Sequence, residues 1–370
     1  MSDFGAKLET ELDAEWRNEL DDDDEFYEPS PALTKRYSVA ELMTLLVENP
    51  TELTRQDLWV LSDLSRADMD VVRRRWPEIP TDRRQDIVQS MVEMGAENLD
   101  LHLGRFLQVA MGDDDASIRR IAIEGLAEDV DTAFIGPLLQ TFHNDSDESV
   151  RATAAAALGP YVLAGELNEL ASAFAMRIEE ALLSVLLRED ELLEVRCRAL
   201  ESIAYSSEVA IRQLIEDGYY SPFMDMRLSA LRAMGRSADI RWRPLVKAEL
   251  QNPDAEMRAG AAQACGELEA RSALSDLMAM TEDEDQSVRL AAIFSLGRIG
   301  GAEVKRLLRE LSNDDATLEG EAAEEALDEI LLNEDNEGIA LFDERLDSDD
   351  PDWDDDEDEQ WDFEPWERWQ

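Results

Sequence analysis

Histidine and cysteine are nearly missing from this chain, with two of each in 370 residues. His102 and His143 lie far apart and have no cysteine or serine partner at a recognisable spacing, so neither reads as a metal ligand or a catalytic base. Cys197 and Cys265 each fall inside a helical pattern without metal-ligand spacing, and read as small buried thiols of a reducing compartment. No Walker loop, GxGxxG or H-E-x-x-H occurs, which leaves the sequence without a phosphate cradle or a zinc-protease helix. No apolar run approaches the ~20 residues of a membrane span. The start MSDFGAKLETEL lacks the basic and apolar regions of a signal peptide. The expectations are a cytoplasmic location, no cofactor, no metal and no catalytic residues.

Positive charge is the other shortage. Lys and Arg number 35 against 87 Asp and Glu, a formal net charge of −52. Such a surface repels nucleic acid and anionic lipid, and favours basic partners or plain solubility. Without residues 1–30 and 343–370 the chain still has 31 bases against 60 acids, so the body is also wrong for gripping DNA.

A repeat supplies the organisation. In Asp285–Gly301, DQSVRLAAIFSLGRIGG, Val288, Ala292, Leu296 and Ile299 recur at helical spacing. Asp285 stands as an N-terminal helix signal, and Gly300–Gly301 closes the segment. The pattern is traced by Arg119, Arg151, Arg196, Arg227, Arg258 and Arg289, with Glu319 in a last copy, at steps of 32, 45, 31, 31, 31 and 30 residues. One residue before each anchor is apolar: Ile118, Val150, Val195, Met226, Met257, Val288, Leu318. Three after it is alanine: Ala122, Ala154, Ala199, Ala230, Ala261, Ala292, Ala322. Seven after it come Leu126, Leu158, Ile203, Met234, Cys265, Leu296 and Ala326. These offsets share one helix face, with a small residue at its centre that lets a neighbouring helix approach closely.

Second helices are expected over 132–142, 166–187, 209–217, 240–250, 271–280 and 302–311. Each repeat is then a helix pair of about 31 residues that must stack on its neighbours to bury its apolar face. The 45-residue step predicts a longer helix or an inserted turn around Gly165–Arg188. Arg84, Ile87 and Met91 mark an earlier, degenerate copy.

DQSVRLAAIFSLGRIGG, DESVRATAAAALG and DAEMRAGAAQACG resemble HEAT repeats, of the short kind also found in bilin lyases. The resemblance covers residues 80–332. It implies an all-α solenoid of about seven to eight stacked helix pairs. It also implies an Asp–Arg ladder between repeats, here Asp115, Arg119, Asp147, Arg151, Arg196, Arg227, Asp254, Arg258, Asp285 and Arg289. Leu192 and Phe223 replace the Asp in the middle repeats, where an interruption is expected. If the anchor helices line an inner wall, as the resemblance implies, Arg120, Arg198, Glu201, Arg232 and Gln263 face a groove.

Two basic clusters interrupt the acid: Arg66, Arg73, Arg74, Arg75, Arg83 and Arg84, and Arg232, Arg236, Arg241, Trp242, Arg243 and Lys247. Each is read either as a binding patch or as local pairing with nearby carboxylates. The chain divides into an acidic, disordered segment at 1–34, a helical cap at 35–79 with helices starting near Ser38 and Thr54, the solenoid at 80–332, and an acidic aromatic tail at 333–370. In the tail, Trp353, Trp361, Phe363, Trp366 and Trp369 are set among fifteen acids over 343–370. Three readings stay open for it: a solvated tail, a segment docking on a partner, or one docking back on the chain's own arginine clusters.

The function expected is a non-enzymatic protein-binding scaffold for a partner with basic surface, in specific form an escort for basic clients or a nucleic-acid mimic. The alternatives are a nucleic-acid-processing solenoid and a bilin lyase-like enzyme.

Overall fold

The computed structural model describes residues 36–48, 53–98, 100–126, 130–188, 190–313 and 317–343, the last eleven as backbone alone. The segment at 1–34 and the tail aromatics lie outside the described residues. Among the described residues all regular structure is helical. The chain forms two compact units, one through Glu249 and one from Leu250.

The first unit begins with α1 (Val39–Glu48) and α2 (Arg66–Arg75). Ser38 caps α1: its Oγ accepts from the Glu41 amide at 3.3 Å while the Ser38 amide donates to Glu41 Oε2 at 2.9 Å. The helix expected from Thr54 to Arg75 is broken. A 3-10 turn covers Arg55–Leu61, and Asp63 takes a left-handed φ of 51° before Ser65 caps α2. There follow α3 (Thr81–Glu97), α4 (Gly104–Ala110), α5 (Ala116–Leu126), α6 (Ile135–Asn144) and α7 (Glu148–Ala157). The unit ends with α8 (Gly159–Glu166), α9 (Ser172–Leu186), α10 (Leu193–Ile203), α11 (Val209–Tyr219), α12 (Met224–Arg236) and α13 (Arg243–Glu249). The long step in the register is therefore an additional helix, α8. It is started by Gly159–Pro160 and stopped at Asn168, whose φ is 61°. The second helix of that repeat is α9 alone.

The second unit holds α14 (Ala255–Glu267), α15 (Leu274–Met280), α16 (Gln286–Ile299), α17 (Ala302–Leu311) and α18 (Leu318–Asp343). α18 runs past 332, where the solenoid was expected to end. Gly300 and Gly301, at φ 67° and 108°, end α16 as the sequence predicts.

Both units are α-solenoid stacks of helix pairs. In the first, α3, α5, α7, α10 and α12 pack each on the next, and the second helices cover one side; in the second unit α14, α16 and α18 do the same. The alanine seam explains the stacking. Ala122, Ala154, Ala199, Ala230, Ala261 and Ala292 are fully buried, as are Val150, Val195 and Val288 before their anchors and Leu158, Ile203 and Leu296 after. Each large aliphatic side chain so buried contributes about 1.5–3 kcal/mol.

The last copy departs from the pattern. Leu318 is 55% exposed and Ala322 only partly covered, while Ala323, Ala326 and Ile330 are buried. Ala326, seven after the anchor, keeps its expected place, whereas the residues one before and three after the anchor do not.

Candidate functional site

The anchor arginines make the ladder, but with different acids from those expected. Asp115, Asp147, Asp254 and Asp285 are helix N-caps. Asp147 Oδ1 accepts from the amides of Ser149 and Val150, and Asp254 Oδ1 from those of Glu256 and Met257. Asp115 and Asp285 do the same for Ser117 and Ser287. The rungs use the residue two places earlier. Arg119 presents its Nε–Nη2 edge to both oxygens of Asp145, at 2.8 and 2.7 Å, and Arg258 presents the same edge to Asp283 at 3.0 and 2.8 Å. In each, Nη1 donates to the carbonyl six residues back, Asp113 or Asn252. The rung acid also accepts from the capping residue's amide, Asp147 on Asp145 and Asp285 on Asp283.

Arg84 of the degenerate copy makes the first such contact, with Asp113 at 3.0 Å. Arg151 reaches Glu191 at 2.9 Å, and Arg289 reaches Glu319. The interruption expected in the middle repeats is present. The register position of the rung acid for Arg196 is taken by Ser221, and the Arg196 Nε is buried without a hydrogen-bond partner among the described residues. Leu192 and Phe223 start α10 and α12 without a side-chain cap and are 45% and 56% exposed.

Beside this interruption the structure gathers four residues the sequence singles out. Arg198 and Glu201 are three apart on α10; Ser229, Arg232 and Arg236 follow one another at three and four on α12, so each set lies on one helix face. Glu201 was expected to face an open groove. Instead its side chain is 4% exposed, because three guanidinium groups close over it. Arg198 Nη1 donates to both carboxylate oxygens, at 2.9 and 2.8 Å, and Arg232 Nη1 to Oε1 at 3.2 Å. Ser229 Oγ donates to Oε1 at 2.7 Å, and Arg236 Nη1 to the Glu201 carbonyl at 3.1 Å. These bonds offset the cost of burying the carboxylate. Arg236 also lies over the Tyr205 ring, 5.8 Å from its centre. The arginines stay about one-third exposed, at 36%, 32% and 29%. Burial pushes the Cys197 thiol up, against a hydrogen bond with Ser229.

The other candidate residues do not join this cluster. Arg120 pairs with Glu124 on the surface of α5, at 2.7 Å. Gln263 donates to Glu267 on its own helix, at 3.1 Å. Arg241 is held by Asp239 at 2.6 Å, and Arg212 reaches the same carboxylate at 3.0 Å. The hydrogen bond from Arg241 holds Asp239 below the usual carboxylate range. Trp242 is buried beneath them, lining a groove of about 180 Å³, so it is not a surface anchor. Arg243 is half-buried and engaged in its own contacts. The first arginine cluster is likewise spent locally: Arg75 on Glu78, Arg83 on the Leu46 carbonyl and Arg84 on Asp113. Ser229 and Tyr205 were missed by sequence reasoning, although they occupy the register positions of Arg198 and Arg236 in the neighbouring repeat.

A family model for HEAT repeats matches residues 242–328. No curated protein matches the sequence. Among solved structures, the chain is similar to the complex of CpcE and CpcF of phycocyanin lyase from Nostoc sp. PCC7120. Identity there is 17% with a TM-score of 0.41, covering 61% of this chain and 94% of that one. Importin beta is similar at 16% identity and a TM-score of 0.38, over 79% of this chain and 46% of that one. Human deoxyhypusine hydroxylase in complex with glycerol is similar at 16% identity and a TM-score of 0.31, over 70% and 95%.

Proposed function

We propose that the protein is a HEAT-repeat α-solenoid acting as a non-enzymatic scaffold, whose acidic surface holds a protein partner with basic surface; the family model over residues 242–328 and the stacked helix pairs support the architecture. The observation that carries this reading is where the positive charge goes. Arg84, Arg119, Arg151 and Arg258 are only 8%, 12%, 15% and 13% exposed, each spent on a carboxylate inside the stack. What remains for the solvent is dominated by Asp and Glu. Such a field speeds encounter with a basic partner and makes the binding sensitive to salt. The scaffold works as an escort for basic clients, or by imitating the charge of a nucleic acid. Cys197 is buried, and the Glu201 carboxylate is taken up by Arg198, Arg232 and Ser229; both facts support the non-enzymatic half of the reading, since neither side chain is free to meet a substrate.

The experiment is a titration of the intact protein with a lysine-rich polypeptide and with duplex DNA, at low and high salt. The expected result is saturable binding of the polypeptide that weakens as salt rises, and no gel shift of the DNA. Binding of DNA with no binding of the polypeptide would overturn the reading and favour a nucleic-acid-processing solenoid.

A further inference from the structure

The cluster over Glu201 runs against the rest of the molecule: three guanidinium groups share one carboxylate, an excess of two positive charges over the acid that joins them. We propose that Arg198, Arg232 and Arg236 form a receptor for the carboxylates of an acidic segment of a protein partner. This goes beyond the basic-partner reading and does not depend on it, because it concerns a separate, cationic part of the surface.

The hydrogen bonds show what the site has to offer. Each guanidinium carries five N–H donors. Among the described residues, Arg198, Arg232 and Arg236 all spend Nη1 on Glu201, and none of them uses Nε or Nη2. In Arg119 and Arg258 the Nε–Nη2 edge grips a carboxylate through both oxygens, while Nη1 takes a backbone carbonyl. The cluster has the first half of that arrangement and lacks the second: Nη1 is anchored and the bidentate edge is open. A fork already held in place loses little freedom when a ligand arrives, and side chains about one-third exposed can be reached.

The same geometry selects the ligand. Glu201 already occupies all three Nη1 groups, those of Arg198 and Arg232 through its carboxylate and that of Arg236 through its carbonyl, so a lone phosphate cannot take their place and draw all three forks together. What is left for a ligand is the Nε and Nη2 donors. They suit separate carboxylates spaced along a chain, one fork to each, and two such groups would bring the local charge to zero. The Tyr205 ring, 5.8 Å from the Arg236 guanidinium carbon, gives the segment an apolar neighbour. Repulsion from the distant carboxylates of this protein is screened beyond about 8 Å at physiological ionic strength. Binding at the cluster is therefore decided by the near charges.

The test uses the intact protein and a fluorescently labelled glutamate-rich peptide, with its all-glutamine counterpart and inorganic phosphate as comparison probes. The acidic peptide should bind and the glutamine peptide should not. Arg232→Gln with Arg236→Gln should weaken binding about tenfold or more, the loss expected for charge-assisted bidentate bonds. Arg241→Gln, whose arginine is held by Asp239, should leave it unchanged. If the double variant melts early, Arg236→Lys keeps the charge and removes the fork, and should still weaken binding. Salt separates this proposal from the basic-partner reading: binding of a lysine-rich polypeptide falls steadily as salt is added, whereas binding of the acidic peptide holds or improves up to physiological salt. The proposal is overturned if the wild-type protein does not bind the acidic peptide, if correctly folded variants bind it as well as wild type does, or if phosphate binds and the peptide does not.

Discussion

Arg84 Nη1 stands 3.0 Å from Asp113 Oδ2, with the two side chains 8% and 0% exposed, and Trp76 Nε1 donates to the same oxygen at 2.6 Å. The pair joins α3 to the turn before α5, one repeat further along, and so begins the ladder that Arg119 and Arg151 continue. Removing one member of a buried ion pair leaves the other charge without compensation, which typically costs about 3–5 kcal/mol. Asp113→Ala should reach that range in urea unfolding, since Arg84 would be left buried. Arg84→Met should cost less, because Asp113 keeps its bonds from Trp76 and from the Asp115 amide. Equal losses for the two would contradict this assignment.

The rung between Arg258 and Asp283 gives a pH dependence. Arg258's fork holds Asp283 below the usual carboxylate range. A carboxyl whose folded pKa is depressed adds stability that is fully present above its unfolded value of about 3.9, and that is lost as pH falls through the folded value. Asp283→Asn should therefore be less stable than wild type at neutral pH, with the difference closing below about pH 4. A gap that stays constant down to acid would show that the rung is not what the substitution removes.

Missing caps predict a gain. Leu192 and Phe223 stand where other repeats place a capping aspartate, and both are exposed. Leu192→Asp and Phe223→Asp should each stabilise the protein by about 0.5–1 kcal/mol, as a restored N-cap does. The thermal melt is the readout, and a lower midpoint in both variants would count against the cap assignment.

Close approach within the second unit predicts a loss. A Cβ on Gly266 would stand 2.7 Å from the backbone Cα of Ser295, and Ser295 Oγ is fixed on the Ala262 carbonyl at 2.7 Å. Backbone cannot yield as a side-chain tip can, so Gly266→Ala should cost about 1–3 kcal/mol, the usual range for overpacking. A neutral result in denaturant unfolding would mean that α14 and α16 separate freely.

Much of this was legible in the sequence, and the reasons differ from residue to residue. The offsets −1, +3 and +7 were read correctly because burial imposes helical period, and six copies obey it from Ile118 to Leu296. The ladder acids were misplaced because two acids compete at each turn. In Asp145-x-Asp147 and Asp283-x-Asp285 the second caps and the first bridges, and only the recurring D-x-D spacing hinted at two roles. In the last copy Ala326 is buried as expected but Leu318 is exposed, and Glu319 takes the acid's part in a rung, receiving Arg289, where the other copies place an arginine. The long step locates the insertion only loosely: the second helix is expected over 166–187 and forms over Ser172–Leu186, while the additional helix α8 precedes it over Gly159–Glu166, directly after the alanine run of α7. Only Arg198 of the Glu201 partners is local; Ser229, Arg232 and Arg236 lie one repeat away in sequence, so its burial is not legible from its own helix.

The central claim, that the acidic surface serves to hold a basic protein, is tested most directly by affinity capture from native cell extract at low and at high salt, with the bound proteins identified by mass spectrometry. The account predicts a small set of basic proteins retained at low salt and released at high salt. Recovery of only neutral or acidic proteins, equally retained at both salt levels, would contradict it.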